Sequence, residues 1–90
     1  MNPIIEINQS VNVLASFKLV NNQVKVMPVC MHYRGRDIRF STLGLCHPVR
    51  HGSRLHYIFD VSDGVNDYSL DFNTTTLTWT LLTIIDGSSL

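Results

Sequence analysis

The sequence predicts an all-β fold, a six-stranded antiparallel meander that forms a small barrel or a rolled half-barrel. Apolar residues alternate with polar ones along most of the chain, and a period of two is typical of strands with one buried face. Pairs of turn-forming residues, among them Asn21-Asn22 and Asp63-Gly64, separate the alternating stretches as hairpin turns do. The chain has 90 residues, 44% of them hydrophobic, so residues 1–90 are expected to form a single domain around one modest core.

Six alternating stretches predict the strands in chain order. They are Val11–Leu19, Val24–Tyr33, Ile38–Thr42, Leu55–Val61, Tyr68–Phe72 and Leu77–Leu81. The second stretch is apolar on both faces, as a central or strongly bent strand is, and Pro28 within it cannot donate a ladder hydrogen bond. A β-bulge or an edge position is therefore expected near Pro28. Gly44–Ser53 breaks the alternation and is predicted to be a loop, long enough for binding residues to lie on it.

The turns predict a register as well as an order. The expected pairs are Leu19 with Val24, Tyr33 with Ile38, Cys30 with Ser41, Phe59 with Tyr68, and Phe72 with Leu77. In this register the last three strands place their aromatic and aliphatic residues on one shared face, because side chains alternate with a period of two. That face is expected to be the core.

The Arg-rich stretch resembles a known group of domains. Tyr33-Arg34-Gly35-Arg36, followed by Phe59–Gly64 and a last strand pair that includes Trp79, is similar to small uncharacterised bacterial β domains with an aromatic-Arg-Gly-Arg hairpin. The likeness covers roughly Val24 to Leu82, and the hairpin more weakly resembles small domains encoded near error-prone DNA polymerases. The resemblance implies a bacterial β domain, and the group brings no assigned activity with it.

Composition excludes several classes of protein. Only 16% of the residues are charged, and the net charge is zero, which is not typical of a disordered tail or a coiled coil. No apolar run approaches the roughly 18 residues of a membrane span, and Met1–Ser10 lacks the basic start of a signal peptide. The two cysteines are expected to be unpaired, which suits a reducing compartment. We therefore expect a cytoplasmic protein with no membrane contact.

Charge is distributed unevenly along the chain, and this asymmetry predicts the binding site. Residues 34–56 hold all five arginines and one aspartate, whereas residues 57–90 hold five aspartates and no lysine or arginine. The arginine guanidinium pairs bidentately with phosphates and carboxylates. The predicted anion-binding or nucleic-acid-binding residues are Tyr33, Arg34, Arg36, Arg39, Arg50 and Arg54. The alternative is that these arginines form ordinary surface ion pairs with the acidic C-terminal strands.

Other clusters give weaker indications of chemistry. Cys30, His32, Cys46 and two nearby histidines are zinc-ligand types, but the expected register separates the cysteines too far for a shared metal. His56 is expected to face Asp71, as in a catalytic pair, although no nucleophile motif accompanies it.

Three aspartates lie around the Asp63-Gly64 turn, and the register places Asp60 opposite Asp67, a like-charge pair. Their spacing is not that of a calcium loop. We predict no catalytic residue, no metal and no cofactor.

Two functions remain open at this point. The first is a non-enzymatic interaction module that binds an anionic partner, nucleic acid or an acidic protein surface, through the Arg-rich hairpin. The second is a protein-protein or self-association module, a homodimer for example. Its buried face would be formed by the second strand, which is apolar on both faces, and by the Ile4-Ile5 and Ile84-Ile85 termini. A hydrolase is a distant third.

Overall fold

The protein is one antiparallel sheet of seven strands. The computed structural model describes residues 3–87. In chain order the strands are β1 (Ile4–Val20), β2 (Gln23–Tyr33), β3 (Arg36–Arg39), β4 (Thr42–His51), β5 (Arg54–Ser62), β6 (Asp67–Asn73) and β7 (Thr78–Ile85). Their order across the sheet is β3-β2-β1-β7-β6-β5-β4, so the predicted all-β meander is confirmed with one strand more than expected. Within residues 3–87 no helix is long and apolar enough to cross a membrane.

The sheet curls into a half-barrel because its two edge strands are consecutive in the chain. Only Phe40 and Ser41 separate β3 from β4, although these strands lie at opposite edges. The Phe40 N–H donates to the carbonyl of Val29 on β2, and the Ser41 N–H donates to the carbonyl of Ser62 on β5. The two edges of the sheet therefore meet at this link.

β1 joins the two parts of the sheet and is the longest strand. Its first half, Ile4–Val11, pairs with β7, and its second half, Asn12–Val20, pairs with β2. A register shift between Glu6 and Gln9 accompanies a positive φ of 52° at Asn8, a conformation that asparagine tolerates better than most residues. Such an irregularity bends and twists a strand, which lets β1 pass from one neighbour to the other.

The core lies on the concave face of the half-barrel and is rich in aromatic residues. Its buried residues are Met31, Tyr33, Ile38, Phe59, Val61, Tyr68, Leu70, Phe72, Trp79 and Leu81. The Trp79 ring lies 4.6 Å from that of Phe72 and 5.5 Å from that of Phe59, centroid to centroid. The prediction that the last three strands share one apolar face is confirmed.

Two local predictions about β2 and its turns are also confirmed. The pairs Leu19-Val24 and Phe17-Val26 form as expected around Asn21-Asn22, and both asparagines have the positive φ of a tight hairpin turn. A register shift leaves Val29 unpaired with β1 directly after Pro28, which is the expected bulge.

The prediction of a loop over Gly44–Ser53 is wrong. Residues 42–51 form β4, which pairs with β5 from Thr42-Ser62 to His51-Arg54. This strand has a free edge, and most of its residues are exposed, so it does not need an apolar residue at every second position. A register shift between Leu43 and Cys46 interrupts the alternation further.

Three predicted registers are wrong by two residues. Tyr33 pairs with Arg36 instead of Ile38, Phe59 pairs with Leu70 instead of Tyr68, and Phe72 pairs with Trp79 instead of Leu77. A shift of two residues keeps every side chain on its predicted face, since the period of a strand is two. The same shift removes the expected pairs of Cys30 with Ser41 and of Asp60 with Asp67. Cys30 pairs with Arg39 instead, Asp60 pairs with Ser69, and Asp67 pairs with Ser62.

Candidate functional site

The β2-β3 hairpin presents the first group of predicted site residues. Its two-residue turn is Arg34-Gly35, with φ values of 52° and 73°, and the preceding Tyr33 is buried in the core. The Arg34 guanidinium lies 5.4 Å from the centroid of the Tyr33 ring, within the range of a cation-π contact. Tyr33 therefore supports the turn and Arg34, and its ring is not an exposed platform for a ligand.

The other two arginines of this hairpin lie on opposite faces of β3. Arg36 pairs with Tyr33, on the core side. Burial raises the pKa of the Tyr68 hydroxyl, and the charge of Arg36 lowers it by a smaller amount. Arg39 pairs with Cys30 on the outer side, where His32 and Asp37 form a hydrogen bond of 2.8 Å between Nδ1 and Oδ1. Three exposed arginines thus surround one short hairpin.

The β4-β5 hairpin carries the second group. Its turn contains Gly52, with a φ of 65°, and it is flanked by Arg50 and Arg54, both exposed. Arg50 pairs with Leu55, and His51 pairs with Arg54, so the two arginines lie on opposite faces of the sheet.

The structure does not gather the six predicted residues into one surface. The chain must traverse β3, the Phe40-Ser41 link and all of β4 to pass from the first hairpin turn to the second. Every neighbouring pair in the sheet order is antiparallel, and following that order from β3 to β4 gives these two strands the same direction. The β2-β3 turn therefore lies at one end of the sheet and the β4-β5 turn at the other. The site residues form two separate basic groups.

None of the five arginines is neutralised by an acidic side chain within residues 3–87. The only ion pairs there join histidines to aspartates, His32 to Asp37 and His56 to Asp71. Asp63 serves its own turn, where its carboxylate accepts hydrogen bonds from the N–H groups of Val65 and Asn66 and from the Tyr68 hydroxyl. Among the described residues, the arginines therefore form no ion pairs with the acidic C-terminal strands, which was the alternative expected from the sequence.

The predicted contact between His56 and Asp71 forms, although the two residues are diagonal neighbours instead of direct partners. Their Nδ1 and Oδ1 atoms are 2.8 Å apart, and both side chains are largely buried. The His51 ring lies edge-on to His56 at 5.3 Å. In the described part of the chain no hydroxyl or thiol hydrogen bonds to His56.

The metal-ligand residue types are likewise dispersed. Within residues 3–87 no three histidine, cysteine or acidic side chains could hold one metal ion. Cys30 and Cys46 are both free thiols. Partial burial raises the pKa of the Cys46 thiol, an effect that the charge of Lys25 partly offsets.

A second exposed surface lies on the β1-β2 hairpin, where the sequence analysis singled out only the second strand and missed the share of β1. Leu14–Met27, here termed the arm, carries six of the eleven large hydrophobic side chains that are exposed in the described residues. They are Leu14, Phe17, Leu19, Val20, Val24 and Met27. The signal was visible as apolar residues on both faces of the second predicted strand.

A cavity of about 830 Å³ adjoins the arm. It is lined by β1 from Gln9 to Ala15, by Phe17, by the end of β2 with Arg34, and by Phe72 and residues 77–79. Leu77 on this rim is 65% exposed and has a φ of 60°, a strained conformation for leucine. An exposed apolar residue in a strained conformation is typical of binding surfaces.

Comparisons of the chain with protein-family models, with curated proteins and with solved structures found no match. The resemblance to small bacterial β domains therefore stays a prediction, and any function must be argued from the surfaces described above.

Proposed function

We propose that this protein is a non-enzymatic module that binds nucleic acid through the phosphate backbone, with the β2-β3 hairpin as its principal contact. The observation that carries the proposal is that all five arginines are exposed and none pairs with a carboxylate in the described residues. Arg34, Arg36 and Arg39 lie within six residues of one hairpin, at its turn and on the two faces of β3, so three positive charges are available around it.

The chemistry of these side chains favours phosphate over a base edge. A guanidinium binds phosphate oxygens bidentately and keeps its charge at every physiological pH. Base stacking needs an exposed aromatic face, whereas Tyr33 is buried under Arg34. The binding that follows is electrostatic and largely independent of sequence.

Net charge favours a local contact over a wide basic surface. The whole chain is neutral, so long-range attraction to a polyanion is weak, and affinity depends on the few phosphates that the hairpin touches. Three phosphate contacts predict an affinity that falls roughly 20- to 40-fold between 50 and 200 mM salt.

The test is fluorescence polarisation with labelled single- and double-stranded oligonucleotides. The variant Arg34→Asn/Arg36→Gln removes two charges, and asparagine suits the positive φ at residue 34. The matched control, Lys18→Gln/Lys25→Gln, removes two charges from the arm. Arg50→Gln/Arg54→Gln tests the second basic group separately.

We expect the Arg34/Arg36 variant to lose most of the affinity and the salt slope to fall by about 1.4 to 1.8, two contacts at 0.7 to 0.9 each. The lysine control should bind within about twofold of the wild type. Absence of binding at 50 mM salt, or an equal loss in the lysine control, contradicts the proposal.

A further inference from the structure

The arm has an unpaired strand edge. β7 pairs with β1 only as far as Val11, whereas β2 continues along the other side of β1 to Val20. From Asn12 to Val20, the β7-side edge of β1 has no strand partner within residues 3–87. Backbone N–H and C=O groups on such an edge are available to another chain.

This edge lacks the features that protect the other edges of the sheet. β3 has only four residues, and β4 carries Pro48 and a register shift, which are common protective devices. The β1 edge has no proline between Asn12 and Val20, and Lys18 is its only charged residue. The one register shift along this stretch, between Leu14 and Ala15, places its extra residue, Val29, on β2 and not on β1.

The face of the arm that continues the core is apolar and exposed. Ala15 and Val26 pack against the core, whereas Phe17 and Leu19 beyond them are 59% and 72% exposed. Phe17 touches Phe72, with ring centroids 6.4 Å apart. The apolar stripe therefore runs from the core to the tip of the arm without a second layer to cover its end.

We propose that a second copy of this chain covers the arm, by antiparallel pairing of β1 with β1 of its partner about a two-fold axis. The inference is independent of nucleic-acid binding, because it uses the arm and neither arginine hairpin. It uses the arm and not the isoleucine-rich termini, where Ile4 and Ile5 pair with Ile85 and Ile84 inside one chain and are themselves exposed.

The free stretch is self-complementary in one register. Continuing the register of Val11 with Trp79 places Asn12 and Val13 opposite Thr78 and Leu77, so the clear edge is Leu14–Val20, with Phe17 at its centre. A two-fold axis through Phe17 places each Phe17 opposite its copy, Leu19 opposite Ala15, and Val20 opposite Leu14. It places Lys18 opposite Ser16, whereas a shift of one residue in the axis toward the tip would place Lys18 opposite Lys18.

The exposed area is sufficient for a weak dimer. At these exposures a large apolar side chain such as Phe17 leaves on the order of 100 Å² in water. Leu14, Phe17, Leu19 and Val20 lie on β1 itself, on the two faces of the sheet. Four such side chains on each of two copies amount to at most roughly 800 Å², in the range of weak protein-protein contacts. The neutral net charge of the chain imposes no general repulsion between copies.

The test is the mass of the full chain in solution, measured by sedimentation equilibrium over a wide concentration range. We expect association to twice the 10.2 kDa of the chain. Ser16→Lys places a lysine opposite Lys18 of the partner twice in each dimer, and the dissociation constant should rise at least about fivefold. Adding Lys18→Glu to Ser16→Lys should restore the wild-type constant, because each lysine then faces a glutamate.

Two further variants keep the test interpretable. Phe17→Glu places two carboxylates on the axis at an exposed position and should give a monomer with a retained β-sheet circular dichroism spectrum. Leu45→Lys adds a charge at an exposed leucine on β4 and should leave the dimer intact. A monomer at every concentration, a larger assembly, loss of the dimer in Leu45→Lys, or failure of the double variant to recover overturns the proposal.

Discussion

The β5-β6 turn depends on one carboxylate, and its removal should have a large cost for an exposed turn. Asp63 accepts hydrogen bonds of 2.9 and 2.8 Å from the N–H groups of Val65 and Asn66, and one of 2.8 Å from the Tyr68 hydroxyl. A hydrogen bond to a charged group contributes about 1.5–3 kcal/mol when buried, and partial exposure reduces this to about 1 kcal/mol each. Asp63→Ala should therefore lower the free energy of unfolding by about 2–4 kcal/mol.

The pH dependence of the same group gives an independent check. Burial raises the pKa of Asp63, but the N–H groups of Asn66 and Val65 and the Tyr68 hydroxyl outweigh it, and the net result is a pKa below the ordinary value. A carboxyl with a lowered pKa stabilises the fold fully above about pH 5, and the stabilisation is lost as the pH falls through its folded value. Asp63→Asn should thus be less stable than the wild type at pH 7, with the difference shrinking toward pH 3.

Urea denaturation followed by far-ultraviolet circular dichroism measures both effects. Asp60→Ala is the matched control, since Asp60 is exposed on the neighbouring strand and its side chain makes no hydrogen bond within the described residues. A cost below about 0.5 kcal/mol for Asp63→Ala, typical of an ordinary surface substitution, would refute the reasoning. An equal cost for Asp60→Ala would do the same.

Three further predictions concern the β6-β7 hairpin and its core. Leu77→Asn should raise the free energy of unfolding by about 0.5–1 kcal/mol, because asparagine tolerates the positive φ and an exposed leucine loses little burial; a lower urea midpoint contradicts this. Leu70 is fully buried, so Leu70→Ala should cost about 2–5 kcal/mol in the same assay, against less than 0.5 for the exposed control Leu45→Ala. Burial, with a smaller contribution from Asp63, raises the pKa of Tyr68, so stability should fall as the pH rises through the folded value, and Tyr68→Phe should lessen that alkaline loss.

The faces of the strands were predictable from the sequence because they depend only on parity. Phe59, Leu70, Phe72 and Trp79 are buried together as expected, although their partners differ by two residues from the predicted pairs. Register depends on the length and the position of the turn, and a dipeptide signal fixes neither. The β6-β7 turn has the expected four residues but lies one residue later in the chain than predicted. At Asp63-Gly64 the carboxylate bonds to two later N–H groups and opens the expected two-residue loop to four.

The edge strands and the arm were harder to predict for a related reason. β4 has a free edge, so its sequence need not alternate, and Gly44 and Pro48 make it similar to a loop. The apolar alternation of β1 continues beyond Ala15 to Phe17 and Leu19. This pattern does not reveal that the core covers Ala15 but leaves Phe17 and Leu19 exposed. The sequence shows directly which residues are arginines. Their separation into two groups at opposite ends of the sheet becomes apparent only when the strand order is known.

The salt dependence of oligonucleotide affinity tests the proposed function most directly. For the wild type, the logarithm of the association constant should fall linearly with the logarithm of the salt concentration, with a slope of about −2 to −3 for three phosphate contacts. In Arg34→Asn/Arg36→Gln the slope should be close to that of a single contact, about −0.7 to −0.9. A wild-type affinity that is independent of salt, or one that is already absent at 50 mM, would contradict the account.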